Sequence, residues 1–339
     1  TLFDISLHKK LNEMNEIEEE EDFDLNESYK ETLDDQMDKI MENIDIVITT
    51  CSSSFDKRIN RFPFTYVLID ENTQCREVES LLPITHGCCH LTLIGDQKQL
   101  GPVIYHPKAN KTGMNISLME RMIKLYPENH YLLTIQYRMH PKIVEFPSKI
   151  FYENKIENGI DIKERTMLEF NKKFNWFNKE FPLLFINVEG LEKFSSNSKS
   201  KYNEYEADVI YYCIQKLIKD CNVNPKKIGI ITPYLAQKSI IQKRIINDFD
   251  NIDIDISSVD GFQGKEKDFI LLSNVRSNNK NEIGFLKDFR RLNVSITRAK
   301  YGMIIIGNAR CLSKESDIWK CIISYYQKNK ILVEFDMKD

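Results

Sequence analysis

VLIDENTQ, residues 67 to 74, and LIGDQKQLGP, residues 93 to 102, decide how this chain is read, because each is an apolar run that stops abruptly in polar side chains. Asp70 and Asp96 lie about 26 residues apart, the spacing of a strand, a crossover helix and a parallel strand. Four more strings behave alike: IQYRMHP (135 to 141), IITPY (230 to 234), SSVDGFQGKEKDF (257 to 269) and RRLNVSITRAK (290 to 300). Ligands of open α/β sheets bind outside the carboxyl ends of the strands. Carboxylates, glycines, glutamines and arginines delivered there to one crevice suit nucleotide chemistry.

Working outward, the apolar runs IDIVITT, TYVLID, LTLIGD and YLLTI form one group, and LLFINV, IGIITPY, FILLSNV and MIIIGN another. Such runs are too continuous for half-exposed strands and suit parallel strands covered on both faces. Amphipathic stretches such as EYEADVIYYCIQKLIKD lie between them, which makes βαβ units. The break near Thr134 to Pro141 predicts two α/β domains sharing a cleft, over residues 43–135 and 136–339. GLEKFSSNSKSKY, 190 to 202, reads as a mobile surface loop.

The 339 residues carry 42% hydrophobic side chains, enough for sizeable cores, and a net charge of -4 that is unevenly spread. Residues 1–42 hold 4 Lys against 15 Asp plus Glu, and the remainder 43 Lys plus Arg against 36 Asp plus Glu. An acidic appendage on a basic body suits a polyanion partner. Leu33, Met37, Ile40 and Met41 recur at helical spacing, so residues 1–42 read as an acidic helical insertion around a charged loop at Glu16 to Asp24. No run has the roughly 18 apolar residues of a membrane span, and no signal peptide opens the chain. The eight cysteines lack C-x-x-C spacing and are expected as reduced, packed thiols rather than a zinc site. An intracellular enzyme, cytoplasmic and without membrane contact, is the expectation.

Each motif suggests a role. Asp70, at a strand end, can hold Mg²⁺ through its water shell, and Glu71 can orient and deprotonate a water. An Asp-Glu pair is by itself an ordinary acidic turn, but Gln74 and the second strand end shift the reading. Gln99 offers an amide able to report a γ-phosphate. Arg138 and Arg298 are forked, permanent cations suited to phosphate oxygens and to a phosphoryl transition state. His140, beside Pro141, reads as a structural hydrogen-bonder. Gly264 frees the backbone, Glu266 can accept a ribose hydroxyl, and Thr232, Ser258 and Asp260 can contact a nucleic-acid backbone or couple it to the cleft. No G-x-x-x-x-G-K-[ST] phosphate loop occurs in the chain.

With these residues assembled, the chain resembles the C-terminal two thirds of a superfamily-one helicase core, and among these the up-frameshift RNA helicases, the regulators of nonsense transcripts. The likeness runs from about Asn43 to Val333 and includes QYRMHPKIVEFPSKIFYE and IGFLKDFRRLNVSITRAKYG. The resemblance implies two RecA-like parallel-sheet domains, the first incomplete. It implies Asp70 and Glu71 as the Mg²⁺ and water pair, with Gln74 beside them. Gln99 becomes the γ-phosphate sensor, Arg138 and Arg298 the arginines that reach ATP, and Gly264 and Glu266 the neighbours of phosphates and ribose. Thr232, Ser258 and Asp260 match positions near the RNA path. Asn72 and Thr73 depart from the family, standing where related helicases often have small residues.

The phosphate-binding loop, a β-barrel insertion and a zinc domain are expected upstream of Thr1, so the chain alone is expected to be inactive. The implied protein is an ATP-dependent 5′-to-3′ RNA helicase of nonsense-mediated mRNA decay. Its expected partners are single-stranded RNA, with DNA as second candidate, and decay and termination factors that bind outside this chain. The alternatives are a helicase of the senataxin or immunoglobulin-μ-binding type, and a non-enzymatic nucleic-acid-binding scaffold.

Overall fold

The computed structural model describes residues 38–166, 178, 180–196, 198–249 and 252–335. The expected helical insertion lies outside these residues apart from a helical turn at 38–42. The chain forms two compact units: one holds the described residues up to Asp70 with Glu77–Leu93, the other Glu71–Arg76 with the described residues from Ile94 onward.

In the first unit, β1 (Tyr66–Ile69) and β2 (His90–Leu93) pair in parallel from Tyr66 opposite His90 to Ile69 opposite Leu93. Helix Glu77–Ile84 connects them, which is the βαβ unit read from the sequence. IDIVITT forms no strand. Ile48 is 84% exposed, and the segment has no strand neighbour among the described residues. Apolar content alone does not make a strand without a ladder to join.

In the second unit, YLLTI contributes only the start of β3 (Ile135–Gln136), which pairs with β4 (Glu157–Asn158); Tyr131 is 86% exposed. β5 (Leu183–Asn187) follows. The expected mobile loop is instead a hairpin of β6 (Lys193–Phe194) and β7 (Lys201–Tyr202). The remaining strands are β8 (Ile228–Ile231), β9 (Asp255–Ser257), β10 (Lys267–Ser273), β11 (Ala299–Gly307) and β12 (Leu332–Glu334). Six strands form one sheet in the order β12-β5-β11-β10-β8-β9, every neighbouring pair parallel.

The period-two geometry of strands gives this sheet two apolar faces. Ile270, Leu272, Met303 and Ile305 face one core with helices Pro141–Phe151, Phe289–Ile296 and Asp317–Lys328. Phe269, Leu271, Ile304 and Ile306 face the other with helices Glu204–Gln215 and Leu235–Asp248. Near its start β11 carries one extra residue against β10: Lys267 pairs with Ala299 but Phe269 with Gly302. Bulges of this kind re-aim neighbouring side chains, and this one adjoins Arg298.

Beyond the carboxyl end of β10 the chain turns sharply. Val275 adopts φ 71, and Arg276 N donates to Asn274 O at 2.8 Å, a γ-turn that is strained for a β-branched residue. Glu206 braces it: one carboxylate oxygen accepts from Val275 N at 2.8 Å and Ser273 Oγ at 2.7 Å. Burial raises the Glu206 pKa from 4.5 to about 7, since these bonds do not replace the lost hydration. The raised value means that the folded state holds a proton the unfolded chain has already released. Stability therefore falls as pH rises from 4.5 to about 7, then levels off. Glu206→Gln is expected to abolish this slope, which is on the order of 2–4 kcal/mol for such a shift. Urea unfolding at pH 5 and pH 8 checks it; an unchanged slope in the variant refutes the assignment.

Candidate nucleotide site

Asp70 is the exposed residue that follows β1. The chain then enters the second unit at Glu71, which is left-handed at φ 50 and accepts from Gln74 Nε2 at 2.9 Å. A non-glycine residue at positive φ is uncommon and concentrates at functional turns. Asn72 and Thr73, the two departures from the family pattern, are buried. Asn72 N donates to Ile94 O at 2.8 Å, its Oδ1 caps Met119 N at 3.0 Å, and Thr73 Oγ1 accepts from Asp96 N at 3.4 Å. These larger polar residues tie the turn after Asp70 to the segment that follows β2.

That segment carries Asp96 and Gln99. Asp96 Oδ1 accepts from Lys98 N at 2.8 Å, and Oδ2 accepts from Gln99 Nε2 at 2.8 Å and Tyr152 Oη at 2.6 Å. A carboxylate only accepts, so the nitrogen of the Gln99 amide faces Asp96 and its oxygen faces away. Toward that oxygen comes Arg298, whose Nη2 donates to Gln99 Oε1 at 3.3 Å and Thr297 Oγ1 at 2.9 Å. Its Nε donates to Val294 O at 3.0 Å.

Arg298 is 3% exposed, and among the described residues no carboxylate forms an ion pair with it. Burial, and then the like charge of Arg138, lower its pKa to about 10; Tyr152, Glu71 and Asp96 oppose that shift. It stays a cation at neutral pH, incompletely neutralised in a water-poor place. Such a site favours an anion with oxygens matched to the guanidinium fork.

Arg138 donates from Nε to Glu266 Oε2 at 2.6 Å and from Nη1 to Thr297 O at 3.4 Å. Lys300 Nζ pairs with Glu266 Oε1 at 2.5 Å, and the two cations hold the Glu266 pKa below its usual range, Lys300 more strongly. The loop under Arg138 is built by side chains. Gln136 Oε1 accepts from Arg138 N at 3.0 Å and Met139 N at 2.8 Å, and Arg165 donates to Tyr137 O and Arg138 O, both at 2.8 Å. His140 Nδ1 caps Lys142 N at 3.0 Å, and burial, then Lys142, lower its pKa to about 4. Neutral and buried, it has the structural role expected of it.

One expectation is corrected. Gly264 and Glu266 precede β10 and Arg298 precedes β11, so they stand at the amino edge of the six-stranded sheet, not at a carboxyl edge. The motif strings straddle strand starts as well as strand ends. Gly264 has φ +75, and an added Cβ would meet nothing within 4 Å, so backbone conformation rather than space demands glycine there.

Thr232 and Ser258 do follow β8 and β9 at the carboxyl edge. Thr232 is buried, and its Oγ1 has no partner among the described residues; Ser258 Oγ caps Gly261 N at 3.2 Å. Both Asp260 oxygens accept from Arg291, at 2.9 and 3.1 Å. Arg291 lies on helix Phe289–Ile296, which ends two residues before Arg298, so Asp260 touches the element that leads to the buried arginine.

Sequence reasoning missed Tyr152 and Asn293. Asn293 Nδ2 donates to Tyr152 Oη at 2.8 Å and Lys98 O at 2.9 Å. The available signal was a polar residue within the buried run LNVSI of an amphipathic helix.

A parallel sheet with helices on both faces is the architecture of a RecA-like α/β domain. Two AAA domain models match residues 114–310 and 5–107, the first alone more than half of the chain, and the chain belongs to this AAA domain family. The regulator of nonsense transcripts 1 homolog of Neurospora crassa is 43% identical over 305 residues, 87% of this chain and 27% of that protein. The ATP-dependent helicase NAM7 of Saccharomyces cerevisiae is 44% identical over 303 residues, 87% of this chain and 30% of that protein. The chain thus spans under a third of the length of these relatives. Among solved structures, a PRRSV helicase matches at TM-score 0.38 and 15% identity over 73% of this chain and 35% of that one.

Proposed function

We propose that this chain is part of an ATP-dependent RNA helicase core that couples ATP hydrolysis to 5′-to-3′ movement along single-stranded RNA in cytoplasmic nonsense-mediated decay. The observation that carries the reading is Arg298: a buried, under-neutralised guanidinium whose Nη2 lies 3.3 Å from Gln99 Oε1. A polyphosphate supplies the anion that this cation lacks. Arg138 adds a second fork, and Gln99 offers the amide that distinguishes a γ-phosphate from its absence. Gln74 steadies Glu71, which would orient a water, while Asp70 would hold Mg²⁺; the ion would supply positive charge toward the transferred phosphoryl group. Gly264 and Glu266 border the nucleotide, and both Glu266 oxygens are engaged by Arg138 and Lys300, so a ribose hydroxyl must share them.

In this reading residues 43–135 belong to a first RecA-like domain and 136–339 to a second. Thr232, Ser258 and Asp260 serve coupling more than direct RNA contact, because Thr232 is buried and Asp260 is paired with Arg291. Decay and termination factors bind elsewhere in the protein.

The basic body, not the acidic residues 1–42, is expected to hold RNA through backbone phosphates. Six or so neutralised phosphates predict an affinity loss of about a hundredfold to a thousandfold between 50 and 200 mM salt. Fluorescence-anisotropy titration with and without residues 1–42 tests this. Binding that ignores salt, or that vanishes on the deletion, refutes it.

A further inference from the structure

Tyr152 follows helix Pro141–Phe151, and its hydroxyl is the hub of the cluster around Gln99. It donates to Asp96 Oδ2 at 2.6 Å and accepts from Asn293 Nδ2 at 2.8 Å. Gln99 Nε2 donates to that same Asp96 oxygen at 2.8 Å. The tyrosine and the glutamine therefore share one acceptor, and an Asp96 oxygen fixed by Tyr152 fixes which end of the Gln99 amide faces it. With the nitrogen held there, the amide oxygen is presented to Arg298. A flipped amide would instead turn its NH₂ toward a guanidinium, donor against donor.

We propose that Tyr152 is a positioning residue for the Gln99 and Arg298 pair, setting the orientation of the Gln99 amide through Asp96, a role that rests on reading both as ATP-facing groups. Asn293 braces the arrangement from the helix that precedes Arg298, because its Nδ2 also donates to Lys98 O at 2.9 Å. Burial first, then the Asp96 charge, push the Tyr152 pKa well above its ordinary 10.0, so the hydroxyl remains a donor across the working pH range. Phenylalanine keeps the ring, which meets Phe151 edge-on at 6.5 Å, and removes the hydroxyl with its hydrogen bonds to Asp96 and Asn293.

In the complete protein, Tyr152→Phe is expected to lower RNA-stimulated kcat about tenfold to a hundredfold while KM for ATP moves less than about threefold. Asn293→Ala should act in the same direction, and serves if the tyrosine variant does not fold. Adding Tyr152→Phe to Gln99→Ala should cost nothing further, since no amide remains to be oriented. A kcat within about twofold of the parent in both single variants, beside a strongly impaired Gln99→Ala, overturns the positioning role and leaves the ATP reading standing. Losses that simply multiply in the double variant overturn it as well. Normal turnover by Gln99→Ala overturns the ATP reading itself.

Discussion

Replacing Arg298 by alanine in the complete protein is expected to lower RNA-stimulated ATP turnover by roughly 10³ or more, the range that arginines facing a transferred phosphoryl group reach. The side chain is buried, it is under-neutralised, and its Nη2 is directed at Gln99 Oε1 at 3.3 Å. In the transition state charge spreads over the phosphoryl oxygens, and a preorganised cation stabilises that charge without reorganising. ATP affinity should weaken far less, because the ground state makes less use of the contact. Arg298→Lys tests the fork apart from the charge. Lysine keeps a cation but cannot hold Val294 O, Thr297 Oγ1 and an anion in one plane, so it should recover only part of the loss. Steady-state hydrolysis, nucleotide binding and thermal melting of the three proteins decide the matter. A near-normal rate in the alanine variant shows that the site has been misread.

The sequence made parts of the fold legible for a physical reason. β5, β8, β10 and β11 are buried on both faces, so each needs an unbroken apolar run, and such runs stand out. β9 and β12 are edge strands of three residues with partial exposure, and nothing in their composition separates them from loops. IDIVITT and YLLTI look like strands but largely lack ladders, which composition cannot report.

The site divides in the same way. Glu71, Gln99, Arg138 and Arg298 stand out in the sequence because charged or amide side chains beside apolar runs are conspicuous. Tyr152 and Asn293 were missed because their chemistry exists only once contacts close: Asn293 reaches Tyr152 across 141 positions, and each side chain alone reads as helix packing. Gly264, Glu266 and Arg298 were assigned to the wrong edge because a motif string spans a strand start as readily as an end.

The hairpin read from sequence as a mobile loop yields the largest expected effect on stability. Glu192 accepts from Arg276 Nε at 2.8 Å, Ser277 N at 2.9 Å and Asn278 Nδ2 at 3.1 Å, and it pairs with Lys201. The Arg276 and Glu192 side chains are each 7% exposed. Burial alone would raise the Glu192 pKa, but hydrogen bonds from Lys201, Arg276 and Asn278 outweigh it and hold the value below 4.5. A depressed carboxylate contributes stability that is present above pH 4.5 and lost as pH falls through the folded value.

Arg276→Ala leaves that carboxylate buried with one cation fewer, and should destabilise the chain by about 3–5 kcal/mol at pH 7, the cost of breaking a buried pair from one side. Lys201→Ala should cost less, since Lys201 is the more exposed partner at 18%. The paired change Arg276→Met with Glu192→Leu removes both charges and should recover most of the loss, because the desolvation penalty disappears with them. Urea unfolding at pH 7 and at acid pH separates the outcomes: the deficit of Arg276→Ala should shrink as pH falls below 4.5, because without the guanidinium the buried Glu192 carboxylate takes up a proton more readily. A deficit of equal size at both acid and neutral pH would show that Arg276 stabilises the fold through its hydrogen bond to Tyr234 Oη and its approach to Gly284 rather than by holding Glu192.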